Sequence, residues 1–187
     1  RGLGDVYKRQ VHNIENYMAA ACAVEGLATE EDIDAIARTF AGVEHRIEFV
    51  RELDGVKYYN DSIASSPSRT IAGLHSFHQK LVLIAGGYDK KIPFDVLGPE
   101  ICAHVRLLIL CGATAEKIEA AVKSAPNYLN GQPEILHAQT LEEAVRLAKQ
   151  YTVPGDIVTL SPACAAFDQF KNFMVRGETY KTLVQGL

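Results

Sequence analysis

Apolar positions change their spacing along this chain, and each change predicts a different element. Between His12 and Leu27 the residues Ile14, Tyr17, Met18, Ala21 and Cys22 recur at helical intervals, with Asn13 placed as a cap and Gly26 as a stop. Thr29-Glu30-Glu31-Asp32 reads as a capping box opening a second helix, whose apolar face is Ile33, Ile36, Ala37 and Phe40 and whose stop is Gly42. Strand-like alternation then takes over. Ile47–Leu53 and Val56–Tyr59 read as two strands around an Asp54-Gly55 hairpin turn. Beyond them come short, continuously apolar runs, Leu81–Ala85, Leu107–Cys111 and Ile157–Leu160, with a shorter strand at Glu134–His137. Helical patterns at Pro67–Phe77, Phe94–His104, Ala115–Lys123, Leu141–Gln150 and Gly177–Val184 separate or follow them. Strands apolar on both faces, alternating with helices, predict an α/β fold: a doubly wound, mostly parallel sheet with helices on both faces. A two-helix arm precedes it, and the boundary falls near Gly42-Val43, dividing 11–42 from 43–187.

One stretch stands apart from these patterns: Leu160–Gly177, LSPACAAFDQFKNFMVRG. Ser161-Pro162 ends the preceding strand, because proline has no N–H for a ladder. Ala163, Ala165 and Ala166 leave the backbone open to approach, and Phe167, Phe170, Phe173 and Met174 follow at helical spacing. A small-residue turn running into a helix offers unpaired N–H groups to an anion, a carboxylate or a phosphate. The same pattern also fits an ordinary strand-to-helix connection with its aromatic residues in the core.

Composition narrows the classes. A length of 187 residues suits one well-packed domain with some extra at an end. The net charge of −4, with no basic block, leaves no footprint for nucleic acid. No apolar run approaches the length of a membrane span, and no signal peptide is visible. Cys22, Cys102, Cys111 and Cys164 are scattered in apolar surroundings and read as buried free thiols of a reducing compartment. No Cys/His spacing suggests zinc, and no metal site is expected; His75, His78 and His104 read as structural or solvated histidines on helix surfaces. Residues 1–10 show no useful periodicity and read as a leader foreign to the rest of the chain, or as a natural but divergent loop.

In an open α/β sheet, ligands sit beyond the C-terminal ends of the strands. Asn60, Asp61, Ser62 and Ser65 follow one strand, Gly86 to Lys91 the next, and Gly112 and Thr114 a third. Asp61 suits the hydroxyls of a ribose, or equally an Asx turn or helix cap. Lys90 suits a carboxylate or phosphate, or is a solvated surface lysine. GxGxxG, GxxxxGK[ST] and GxSxG motifs are all missing, which disfavours a dinucleotide site, a phosphate loop and a serine hydrolase.

The string SPACAAFDQFKNF with Arg176-Gly177 resembles the C-terminal signature of the Mur ligase family, and the resemblance covers roughly residues 11–187. It implies a Rossmann-like C-terminal domain, preceded by the end of a central ATPase domain, in a cytoplasmic ATP-dependent ligase that is monomeric at full length. That ligase would add D-glutamate to UDP-N-acetylmuramoyl-L-alanine through an acyl phosphate during cell-wall synthesis. His12-Asn13-Ile14-Glu15-Asn16 is similar to the family's HNxxN segment, which puts Asn13 and Asn16 near the adenine of ATP. His45-Arg46 and Asn60-Asp61-Ser62 are similar to its HR and NDS motifs, which assign Arg46 to the nucleotide and its phosphates and Asp61 to the ribose. By the same resemblance Ser65, Lys90, Ala166, Phe167 and Phe173 contact D-glutamate, partly through backbone N–H groups. The phosphate loop, most of the Mg2+ site and the nucleotide-sugar pocket belong to other domains of the family. No catalytic residue is therefore assigned here, and the chain alone is expected to be inert. Two positions depart from the family pattern: Ile63 stands where lysine is common and Ala166 where serine is common. A free-standing α/β module binding an acidic amino acid or nucleotide is the alternative.

Overall fold

The computed structural model describes residues 11–40 and 42–187, with side chains from Tyr17 onward. The leader read at residues 1–10 lies outside the described residues. The chain falls into two units, one ending at Val43 and one running Glu44–Leu187. The first holds helices α1 (Val11–Ala23) and α2 (Glu30–Thr39). Thr29 caps α2 as its sequence predicts: its hydroxyl accepts from the Asp32 N–H at 3.2 Å, and its own N–H donates to Asp32 Oδ2 at 3.1 Å. Both helices stop short of their glycines. Val24 N–H closes back on Ala20 and Ala21 carbonyls at the end of α1, and Phe40 leaves the helix with ψ 114. Cys22 is exposed on α1, against the expectation that all four thiols are buried; Cys102, Cys111 and Cys164 are buried and unpaired. No residue of α2 is buried within the described structure, so its stability leans on the cap. Thr29→Ala is expected to cost about 1 kcal/mol of local stability, read as faster amide exchange at Asp32 and Ile33.

The second unit is a six-stranded sheet in the order β1-β2-β6-β3-β4-β5. Its strands are β1 (Glu48–Leu53), β2 (Val56–Asn60), β3 (Leu81–Ala85), β4 (Val105–Cys111), β5 (Glu134–Ala138) and β6 (Ile157–Leu160). Only the β1–β2 hairpin is antiparallel. The helices are α3 (Pro67–Leu74), α4 (Leu97–His104), α5 (Ala115–Lys123), α6 (Leu141–Tyr151) and α7 (Phe173–Gln185). Helices α3, α4 and α5 pack in series, while α6 packs on α7. The predicted doubly wound α/β fold is therefore the observed one.

The central strands are apolar throughout because both faces are covered. Val82 and Ile84 of β3 join Leu107, Ile109, Val158 and Leu160 under α6 and α7, where Tyr180 and Val184 complete the cluster. Leu81, Leu83, Leu108 and Leu110 are equally buried and, at period two, face the other layer. Two helices are shorter than their periodicity predicts. The chain turns at Phe94, whose carbonyl accepts from Leu97 and Gly98, before α4 begins. At the end of α3, Ser76 N–H bonds to Gly73 O, a tighter turn than the helix repeat.

The largest departure is at Leu160–Gly177. Helical spacing from Phe167 predicts a helix directly after the alanine turn, but residues 161–172 form an irregular loop and α7 starts at Phe173. Ala163 takes φ 59, which turns the chain out of any helix. Asn172 supplies the cap, accepting from Val175 N–H at 2.9 Å. Phe167 is 64% exposed, whereas Phe170 packs against the core. The residues predicted as a separate terminal helix from Gly177 belong to the same α7.

Candidate functional site

Strands β2, β6 and β3 are neighbours, so the loops leaving their C-terminal ends meet at one edge of the sheet. The β3 loop opens with Gly86 at φ 112, where a side-chain Cβ would lie 1.9 Å from the Cys111 carbonyl oxygen. Only glycine lets β3 and β4 converge there. Thr114 fastens the same pair of loops: its hydroxyl lies 3.1 Å from both the N–H and the carbonyl oxygen of Gly87. Tyr88 N–H then donates to Ala165 O at 2.9 Å, and the Tyr88 ring meets Phe167 edge-on at 6.0 Å. These contacts hold the Lys90 loop against the alanine turn.

Arg176 joins the rest. Its side chain is 3% exposed, reaching from the first turn of α7 beneath the loops. It donates to Ser62 Oγ (3.0 Å), Ser62 O (2.9 Å), Cys164 O (3.0 Å) and Ala165 O (3.2 Å). Ser62 Oγ also donates to Phe173 O at 2.8 Å. Burial pulls the guanidinium down to about 10, which leaves it charged at neutral pH. One buried cation thus ties the β2 loop, the β6 loop and the start of α7 to one another. Sequence reading gave Arg176 no role beyond its place in the motif.

The predicted residues fall into three sets. Lys90 is exposed, and its ammonium has no hydrogen-bonding or ion-pair partner among the described residues; neighbouring Asp89 pairs with Lys117 instead. Ala166 is buried to 2%, yet its N–H and that of Phe167 donate to no group among the described residues. Ser65 is half-buried, with its hydroxyl likewise unengaged. Phe173 is half-buried, its ring edge-on to His45 at 5.9 Å. Together these residues present one cation, two amides and a hydroxyl on loops that the structure fastens at a common edge. A polar hollow of about 560 Å3 lies to one side, at the ends of β4 and β5, lined by residues such as Gly112, His137 and Asp168 and by none of these five.

The second set is Arg46 and Asp61. The segment His45-Arg46-Ile47 is bent, with φ 62 at His45 and 46 at Ile47, a left-handed conformation that a β-branched residue avoids. Side chains around it hold the bend. Glu48 Oε2 accepts from the His45 N–H at 3.0 Å, and Asp61 Oδ1 from the Ile47 N–H at 3.3 Å. Asn60 Nδ2 lies 3.0 Å from His45 Nδ1, and Gly177 is a glycine because any Cβ would meet that nitrogen at 2.4 Å. The bend leaves Arg46 half-buried with no hydrogen-bond partner among the described residues. Asp61 turns inward: it is 4% exposed, and its Oδ2 accepts from Ser161 Oγ at 2.7 Å. Burial pushes its carboxyl up to about 7, against the hydrogen bonds from Ser161 and Ile47 and the charges of Arg46 and Arg69. The third set, Asn13 and Asn16, lies on α1 with side chains outside the described residues.

Among the described carboxylates at these strand ends, Asp61 and Asp89 are engaged, while Asp168 stays exposed beside Glu116. Asp61 faces inward, Asp89 holds Lys117, and Asp168 accepts from the Ala113 N–H at 3.2 Å. Lys90 and the free amides of the loops suit a small anion with an amino acid's hydrogen-bonding needs.

The family model described as Mur ligase, glutamate ligase domain, matches residues 45–164. The chain belongs to the Mur ligase family. This Mur ligase chain is 52% identical over 183 residues to the UDP-N-acetylmuramoylalanine–D-glutamate ligase of Clostridium beijerinckii, covering 98% of this chain and 40% of the relative. It is 51% identical over 185 residues to the ligase of the same name from Acetivibrio thermocellus, with coverage of 98% and 40%. The chain thus spans 40% of the length of these relatives. Among solved structures it is similar to a pseudomurein peptide ligase type C from Methanothermus fervidus, with TM-score 0.66, 14% identity and coverage of 95% of this chain and 36% of that one. It is also similar to the folylpolyglutamate synthase of Thermotoga maritima, with TM-score 0.59, 19% identity and coverage of 95% and 39%. At those identities the likeness is one of fold. No helix among the described residues is long and apolar enough to cross a membrane.

Proposed function

We propose that this chain is the D-glutamate-receiving part of a cytoplasmic, ATP-dependent ligase that joins D-glutamate to UDP-N-acetylmuramoyl-L-alanine. The observation carrying this reading is the pairing of Lys90 with the unengaged amides of Ala166 and Phe167 on loops strapped together at Tyr88 and Ala165. A dicarboxylic amino acid needs a cation for one carboxylate and oriented donors for the other. Lys90 supplies the first, and the two amides with the Ser65 hydroxyl supply the second. Phe167 and Phe173 would cover the aliphatic part. Ile63 and Ala166 offer no cation or hydroxyl, which leaves the backbone N–H groups to bind in place of a serine.

ATP supplies the phosphoryl group that converts the muramoyl-alanine carboxylate into an acyl phosphate; the D-glutamate amine then attacks its carbonyl and phosphate leaves. Within this chain Arg46 is the group available to the nucleotide phosphates. Asp61 would accept from ribose hydroxyls only after turning from Ser161, and Asn13 and Asn16 would meet the adenine. The chain carries no GxxxxGK[ST] motif, so the phosphate loop and most of the Mg2+ site are assigned to segments beyond this chain, which alone is catalytically inert. At full length the enzyme is read as a monomer.

The test is an NMR titration of this chain with D-glutamate and, separately, L-glutamate. Shifts at Ser65, Lys90 and residues 163–173, larger for the D isomer, are expected. Lys90→Ala should weaken binding about 10-fold, the order of a charge-assisted hydrogen bond. Equal responses to both isomers would reduce the loops to a general anion site and sink the assignment.

A further inference from the structure

We propose a transition-metal site, of the kind that takes Zn2+, formed by His75, Glu100 and His104 at the end of the sheet opposite the ligand loops. His75 caps the C-terminus of α3, and His104 is the last residue of α4, immediately before β4. In each strand-helix-strand unit the helix returns to the N-terminal edge of the sheet. Both histidines therefore stand away from Lys90 and the alanine turn.

The geometry is that of a three-ligand cluster. His75 Nε2 lies 2.7 Å from Glu100 Oε2, and His104 Nε2 lies 3.5 Å from the same oxygen. All three ligand atoms fall within 4.8 Å of one another. Metal–ligand bonds of about 2.0–2.2 Å in tetrahedral array place ligand atoms about 3.5 Å apart, so the observed spacing brackets the required one. Glu100 and His104 share a helix face as an i, i+4 pair, and their orientation is set by α4, whose Leu97 and Ile101 are fully buried. Leu74, buried to 1%, fixes α3 just before His75. The side chains themselves are 52%, 33% and 33% exposed, which admits an ion and allows small rotamer changes.

Two further features favour a cation here. The C-termini of α3 and α4 converge on the cluster, and each brings the negative end of a helix dipole. Two imidazoles with one carboxylate select Zn2+, Co2+, Ni2+ or Cu2+ over Mg2+ and Ca2+, which prefer all-oxygen shells. Three protein ligands leave a fourth position for water. Linear spacing gives no sign of this site, because His75 and Glu100 are 25 residues apart and meet only through α3–α4 packing. The other grouping of this kind among the described residues, Glu44, His45 and Glu48, has its histidine buried against Asn60 and belongs to the bent segment already described.

The test uses tag-free chain titrated with ZnCl2 by calorimetry, with Co2+ absorption and histidine NMR as second readouts. One equivalent should bind with a Kd on the order of micromolar, shifting His75 and His104 and leaving the other four of the six histidines in place. His75→Ala, His104→Ala and Glu100→Gln should each weaken binding at least ~10-fold, the size seen when a metal shell is disturbed. The variants should bind D-glutamate as the parent does, so failure of the metal site and failure of the ligand loops are separable. Absence of uptake at about 1 mM Zn2+, or unchanged affinity in the His75→Ala/His104→Ala double variant, would overturn the proposal.

Discussion

Replacing Arg176 by alanine is expected to cost about 3–5 kcal/mol of stability, because several buried acceptors lose a donor and a large side chain is removed together. Four acceptors lose a donor at once, the Ser62 hydroxyl and the carbonyl oxygens of Ser62, Cys164 and Ala165, of which Ala165 O keeps the Tyr88 N–H. They sit where water does not reach, since Ser62, Cys164 and Ala165 are all buried. An unsatisfied buried carbonyl costs about 1–3 kcal/mol, and the vacated volume adds to it. Lysine is a poor substitute, because a point charge with one rotating ammonium cannot span acceptors on two loops as a planar fork does. Urea unfolding of the parent and Arg176→Ala chains gives the stability difference. Amide exchange at Tyr88, whose N–H bonds to Ala165 O, reports on the strap itself. Should the alanine variant not fold, Ser62→Ala tests the same network more gently. It removes the bridge between Phe173 O and Arg176 Nε and should cost about 1–2 kcal/mol. Wild-type stability in both variants would mean that the loops are held by something else.

Asp61→Asn should raise stability at pH 8 and leave it nearly unchanged at pH 4. Burial lifts the Asp61 carboxyl from its ordinary 3.8 to about 7, so the folded chain binds this proton more tightly than the unfolded one. The stability tied to that proton is fully present below about pH 4. It is lost as pH rises through about 7, where the carboxylate must ionise out of water. A shift of about three pH units corresponds to at most about 4 kcal/mol; local relaxation makes about 2 kcal/mol a fair expectation. Asparagine fits the same contacts: its oxygen can accept from Ile47 N–H, and its amide can donate to Ser161 Oγ, which lies 3.0 Å from Thr70 Oγ1. Urea midpoints of both chains across pH 4–8 should therefore diverge upward from about pH 5. Parallel curves would show that the carboxylate is ionised without penalty. The divergence would also explain why an aspartate is kept in so costly a position: a group strained inside the resting fold gains by turning to a ligand.

Much of the architecture was legible because burial on both faces leaves a direct trace in the sequence. Leu81–Ala85, Leu107–Cys111 and Ile157–Leu160 have no polar alternation, since helices cover each side of the sheet, and their limits are nearly those observed. Thr29 and Asp32 announced α2 because a capping box is a local hydrogen-bond pair needing nothing beyond four residues. The stretch after Leu160 misled for the opposite reason. Its aromatic spacing is helical from Phe167, but the backbone conformation is decided by contacts from elsewhere: Arg176 on the Cys164 and Ala165 carbonyls, Tyr88 N–H on Ala165, and Ala163 at φ 59.

The candidate site divides along the same line. The expectation that ligand-contacting groups belong at the ends of the β2, β3 and β6 strands comes from the strand pattern and the resemblance together. That Asp61 faces Ser161 and not solvent, that Lys90 has no anionic partner among the described residues, and that His75 meets Glu100 and His104 are results of tertiary packing. Sequence alone determines what is set by neighbours in the chain: strand and helix identity, the arm's cap and the order of alternation. Only the tertiary structure decides orientation and pairing of polar side chains, because those depend on loops and helices far apart in sequence that a hydrophobic period does not encode.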